Sequence, residues 1–171
     1  MELVLKMNLN NAVERVLHVK GNYTGGILEM TLVIDGGLSR EYVSTMASDI
    51  AATLRSHSEV FRNVRLNLLY WMSDERLENQ VIPISFLQMS TCFENYLPQA
   101  EEKSLDVLSD YLKRFHARSK LILVLAEEKP LIRDGEILRQ NMHPFLGKKS
   151  LFFFQNDPEL KWRRGEELLR A

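Results

Sequence analysis

The stretch Met30-Thr-Leu-Val-Ile-Asp35-Gly36-Gly37-Leu38-Ser39, followed by helical periodicity from Arg40 to about Ser56, constrains the fold more than any other part of the chain. An apolar run ends in one acid, two glycines and a serine, and 3.6-residue spacing then takes over. That pattern describes a buried parallel strand that carries a carboxylate to the rim of an α/β sheet before the chain returns as a crossover helix. Ligands of such sheets bind beyond the carboxyl ends of the strands. Asp35 is therefore the first candidate for a functional residue.

The rest of the sequence extends this frame. Val43, Met46, Ala47, Ile50 and Leu54 form one apolar helix face. Val64 to Trp71 reads as a strand, the polar run Ser73-Asp74-Glu75-Arg76 as a turn or short loop, and Val81 to Phe86 as a shorter strand. Pro83 suits that shorter strand to a sheet edge, and a hairpin over 64–86 follows. Residues 87–102 read as a crossover connection. Ser104 has the character of an N-cap, with Asp106 in the first turn and Leu105, Leu108, Leu112 and Phe115 on one face through about Ala117. Lys120 to Ala126 is a second apolar strand, and it too ends in acids, Glu127 and Glu128. Asp134 opens a short helix through Asn141, and Ser150 to Phe154 is a further strand. Asp157-Pro158 places an N-cap aspartate before a first-turn proline, which predicts a final helix docked by Leu160, Leu168 and Leu169. Near the N-terminus, Val13, Val16 and Leu17 have helical spacing, while residues 14–20 also suit a strand that turns at Gly21-Asn22. Residues 1–26 are thus an N-terminal extension or an edge strand. Strand–helix alternation with two all-apolar strands predicts a single α/β domain over 1–171. Its architecture is a three-layer sandwich: a mostly parallel central sheet with an antiparallel edge strand, and helices on both faces.

Composition narrows the functional classes. The chain has 171 residues, 45% of them apolar, and its 22 basic and 23 acidic residues leave a net charge of −1. That balance argues against a dedicated nucleic-acid or anionic-membrane binder. The basic run Lys113-Arg114-Phe115-His116-Ala117-Arg118-Ser119-Lys120 falls at a helix C-terminus, where the macrodipole favours cations. The same caution covers Lys161-Trp162-Arg163-Arg164, where Trp162 is either a packing residue or an anchor for a partner. Cys92 is the only cysteine, which excludes an intrachain disulfide and a cysteine metal cluster. No apolar run approaches the ~20 residues of a membrane span, and the N-terminus lacks the basic and apolar regions of a signal peptide. The expectation is a cytoplasmic protein.

The order of elements from about 27 to 155 resembles a von Willebrand factor A-type domain. In that family a central strand ends in Asp-x-Ser-x-Ser, a threonine opens a later helix, and a buried strand ends in Thr-Asp-Gly. These rim residues hold Mg²⁺ or Mn²⁺ at a metal-ion-dependent adhesion site, and an acidic group of the partner completes the coordination. On this resemblance Asp35 matches the motif's aspartate and Ser39 its last serine. Gly37 stands where the middle serine belongs, so one hydroxyl ligand is missing. Ser104 takes the place of the threonine, with Thr91 as competitor, and Glu127 in Leu125-Ala126-Glu127-Glu128 takes the place of the second aspartate. Mg²⁺ keeps several waters in near-octahedral oxygen geometry. The resemblance therefore implies no metal, or weakly bound Mg²⁺ or Mn²⁺, at Asp35, Ser39, Ser104 and Glu127. It places a partner-binding rim at Asp35, Gly36, Gly37, Glu127 and Glu128.

The same residues also fit a plain strand-to-helix turn, with Ser39 as N-cap and Asp35 accepting backbone N–H groups. Other chemistries find less support. Aspartate-based phosphoryl transfer of the dehalogenase-like kind expects a second aspartate where Gly37 stands, and no phosphate-cradling loop follows a strand. Gly21 to Gly26 reads better as a hairpin turn. His18, His57, His116 and His143 show no metal-ligand spacing. Cys92 has no base or cationic neighbour in sequence and reads as a buried apolar residue. The expected function is protein–protein interaction or scaffolding without catalysis, with another protein as partner. The alternative is a divalent-metal-dependent hydrolase or phosphoryl-transfer enzyme centred on Asp35.

Overall fold

The computed structural model describes residues 28–56, 64–89, 91–99, 105–115, 119, 121–125, 151–155 and 162–164. Among them the order is β1 (Leu28–Asp35), α1 (Arg40–Arg55), β2 (Val64–Ser73), β3 (Arg76–Ile82), a 3-10 turn (Ile84–Gln88), α2 (Leu105–Phe115), β4 (Leu121–Leu125), β5 (Leu151–Gln155) and β6 (Trp162–Arg164). The strands form one mixed sheet in the order β3-β2-β1-β4-β5-β6. β2, β1, β4 and β5 are parallel, and β3 and β6 pair antiparallel at the two ends.

β1 is central because both of its faces are apolar enough to be covered. Met30, Leu32 and Ile34 share a core with the inner face of α1, and the alternate residues Thr31 and Val33 are equally buried. Parallel pairing runs from Leu28↔Val64 to Asp35↔Trp71 on one side, and from Met30↔Leu121 to Ile34↔Leu125 on the other. The strands Leu28–Asp35 and Leu121–Leu125 are thus neighbours and parallel. Beyond β1 the chain goes first to β2 and later to β4, so the order reverses between β1 and β4.

Local chemistry accounts for α1. The backbone of Ser39 is extended, and its hydroxyl accepts the Tyr42 N–H at 3.2 Å, satisfying an orphan donor of the first turn. Val43, Met46, Ala47, Ile50, Ala51 and Leu54 are the buried stripe. Each large side chain in it contributes roughly 1.5–3 kcal/mol by leaving water. A buried polar cluster lies toward the other end of the sheet. The Thr31 and Ser119 hydroxyls are 2.7 Å apart, and the Asn67 amide donates to Met30 O and Thr31 Oγ1 at 3.4 Å. Paired polar groups of this kind fix strand register, because a slip would leave them buried without partners.

Two expectations need correction. The edge strand is Arg76–Ile82, not Val81–Phe86, and Ile84–Gln88 is a 3-10 turn. The hairpin turn is correspondingly tight, with Ser73↔Arg76 already paired and the Ser73 hydroxyl accepting Glu75 N–H at 3.3 Å. Pro83 ends the ladder because it has no N–H to contribute. The strand before it went unrecognised because an edge strand can be polar. The final helix is also contradicted where it can be checked: Trp162–Arg164 is a strand antiparallel to β5, with Phe153↔Arg164 and Gln155↔Trp162 paired. The backbone groups on the outer edge of β5 demand partners and outweigh a local capping signal. Asp157-Pro158, Leu160, Leu168 and Leu169 lie outside the described residues, as do the predicted helix 134–141 and the strand near 14–20.

Candidate functional site

Asp35 ends β1 at the carboxyl rim, as expected, but its side chain is fully buried. Its Oδ1 accepts the Gly37 N–H at 2.8 Å, and its carbonyl accepts the Leu38 N–H at 3.1 Å. The carboxylate therefore shapes the turn between β1 and α1. Gly36 extends the β1–β2 ladder by donating to Trp71 O at 2.9 Å. A Cβ on Gly36 would sit 2.7 Å from Met72 Sδ and 3.0 Å from Met72 Cα, so close approach of β2 explains glycine at this position.

Ser39 lies on the exposed side of the same turn, with its hydroxyl engaged as the α1 cap. Ser104, Glu127 and Glu128 fall outside the described residues. The end of β4 nevertheless runs beside the end of β1, with Leu125 opposite Ile34. Thr91 is described and exposed, and it lines a pocket that also includes Tyr96 and Gln99. No group of three or more His, Cys, Asp or Glu residues that could hold a metal ion occurs among the described residues. The donor set available from the described rim residues suits a turn better than a hard-cation site. Gly37 offers no side-chain oxygen, and Asp35 Oδ1 and Ser39 Oγ serve backbone N–H groups.

A clasp binds the rim to the segment 91–99. The Tyr96 hydroxyl donates to Leu38 O at 2.7 Å and lies 3.1 Å from Asp35 O. The Arg40 guanidinium returns two hydrogen bonds to Tyr96 O, at 3.1 and 2.8 Å, and Gln99 N–H donates to Gly36 O at 2.7 Å. Sequence reasoning missed this clasp, because residues 87–102 carry no periodic pattern that would betray their contacts.

Under the clasp lies a pocket of about 440 Å³ between the inner face of the β2–β3 hairpin, Phe86 and the segment 91–99. Tyr70, Met72, Glu78, Phe86, Cys92 and Tyr96 are among its lining residues. Strand register sets Glu78 directly beside Tyr70. Tyr70 stacks on Tyr96, with ring centroids 5.8 Å apart and 22° between planes. Burial first, then Cys92 and Glu78, pushes the Tyr70 hydroxyl up to about 12. Burial likewise pushes the Cys92 thiol up to about 11. Both groups are protonated at neutral pH, which makes Cys92 a poor nucleophile.

The fold and rim together define a mixed α/β domain with its topological reversal beside Asp35. No family model, curated protein or solved structure matches the chain. No helix among the described residues is long and apolar enough to cross a membrane.

Proposed function

We propose that this protein is a protein–protein interaction or scaffold domain that binds its partner at the carboxyl rim of the sheet and over the adjoining clasp. The observation that carries the proposal is Leu97. It is 63% exposed on a segment that Tyr96 and Gln99 tie rigidly to the β1 turn, next to the 440 Å³ pocket. Loops held on a rigid scaffold are where binding residues usually sit.

The architecture that supports this role is a three-layer, doubly wound single domain of the von Willebrand factor A type. Strand order and the antiparallel edge strand β3 favour it. Right-handed crossovers from β1 to β2 and from β2 toward β4 set α1 and α2 on opposite faces. Divalent cations bind this rim weakly or not at all, and the partner is engaged through shape and apolar contact. An enzyme centred on Asp35 is disfavoured by the burial of its carboxylate and its bond to Gly37.

The test has two arms. Quantitative affinity capture compares wild type with Leu97→Asp, whose exposed position leaves folding intact. A partner retained by wild type and lost by the variant is expected, and equal retention rejects the surface. A panel of phosphatase, esterase and nuclease substrates with Mg²⁺ or Mn²⁺ is expected to show no turnover. Turnover abolished by Asp35→Ala would establish the enzyme instead.

A further inference from the structure

We infer that the pocket beneath the clasp receives an arginine side chain from the protein partner. The assignment rests on the interaction role proposed above and adds the chemistry of the group that enters.

The floor of the pocket comes from two strands. On β2, Tyr70 and Met72 belong to the apolar face that α1 covers. On β3 the same face continues as Glu78 and Gln80, which pair across the hairpin with Tyr70 and Leu68. A sheet face covered by another segment normally stays apolar, since each polar group taken from water needs a partner. Glu78 and Gln80 accordingly stay exposed at the mouth of the space of about 440 Å³ that the covering segment leaves over Tyr70 and Met72. Such a volume is ordinary for a ligand site.

Two features identify the ligand's charge and shape. The first is the balance of ions. Arg76 is engaged with Glu78 at 3.3 Å and with Gln99 at 3.4 Å, while Glu94 makes no ion pair among the described residues. One carboxylate in the lining thus has no counter-ion. The second is aromatic. The stacked Tyr70–Tyr96 pair and Phe86 line the same space. The Tyr70 side chain is only 9% exposed and forms no hydrogen bond with the described residues. A guanidinium meets all of these features together. It is planar and weakly hydrated, it stacks on aromatic rings, and its N–H groups can reach both a carboxylate and a tyrosine oxygen. A lysine ammonium supplies charge without the planar contact. An acidic or phosphorylated group would face Glu78 and Glu94.

Inward charges on an edge strand also serve to discourage pairing with another chain. That role explains Glu78, but not Glu94, which lies outside the strand.

The experiment is an NMR titration of the full chain with the tripeptide acetyl-Gly-Arg-Gly-amide. Parallel titrations use the lysine and citrulline analogues. The arginine peptide is expected to shift Tyr70, Glu78, Glu94 and Tyr96 saturably. The lysine analogue binds more weakly, and citrulline, the neutral isostere, weaker still. Glu94→Gln is an exposed change that spares the fold, and it should weaken the arginine peptide by up to about fivefold, the scale of a partly exposed charge pair. Tyr70→Phe should also weaken it by about threefold while keeping the ring stack. Equal affinity for arginine and citrulline, shifts confined to other surfaces, or no effect of Glu94→Gln would overturn the inference. Failure here is separable from failure of the interaction role. If a partner is lost on Leu97→Asp while the arginine peptide leaves the pocket unmoved, only the pocket chemistry falls. If the peptide binds and no partner depends on Leu97, the interaction surface falls and the pocket chemistry stands.

Discussion

Asp35 and Glu94 are both carboxylates on segments joined by the Tyr96 clasp, yet they are used in opposite ways. Asp35 is wholly buried and takes the Gly37 N–H, so its charge is spent in making the strand-to-helix turn. Glu94 is exposed beside a pocket, with no counter-ion among the described residues. The acid with the strongest sequence signal is consumed by architecture, because a strand end entering a helix has backbone donors to satisfy. The acid with no sequence signal remains available to a ligand. Strand-end motifs thus locate a rim reliably, but they do not say which rim residues face outward.

The comparison can be broken most severely at Gly36. Gly36→Val drives a branched side chain into Met72, whose Cα already lies 3.0 Å from the Cβ position. Overpacking against backbone should cost about 3 kcal/mol. Chemical denaturation measures it, and a loss below about 1 kcal/mol would show that β2 does not press on the turn as closely as described.

A smaller effect is expected from Tyr96→Phe. The substitution keeps the ring stacked on Tyr70 but withdraws the hydroxyl from Leu38 O and Asp35 O. Leaving a part-buried carbonyl without its donor should cost about 1.5 kcal/mol. Amide exchange should quicken in residues 35–40 and 96–99 while the sheet interior stays protected. Uniform acceleration across the sheet would mean that the clasp is no local unit.

The effect of pH on stability is confined to alkaline conditions. The folded-state values of Tyr70 and Cys92 are raised, from 10.0 to about 12 and from 9.0 to about 11. Groups shifted upward favour the folded state at pH values below their unfolded pKa. That contribution is lost as pH climbs from about 9 through about 12. Iodoacetamide reports it directly, since Cys92 is the only cysteine. At pH 8 the native chain should alkylate much more slowly than the unfolded chain, its thiolate fraction being roughly a hundredfold smaller. Equal rates would show that the pocket does not bury the thiol.

The sequence by itself determined the elements whose chemistry is local or periodic. The apolar run before Asp35, the α1 stripe from Val43 to Leu54 and the apolar strand Leu121–Leu125 are all legible, because burial on a sheet or helix imposes a repeat that composition must obey. The Ser39 cap was legible for the same reason, being set within three residues. Tertiary structure alone decided the rest. Arg76–Ile82 is a strand because β2 offers it a ladder, although its own residues are polar. Trp162–Arg164 is a strand because β5 has an open edge. The clasp joins Tyr96 to Leu38 across 58 positions of sequence, and the pocket exists only once that contact closes over Tyr70. Such contacts depend on where two distant segments meet in space, and no repeat or spacing within either segment encodes that meeting.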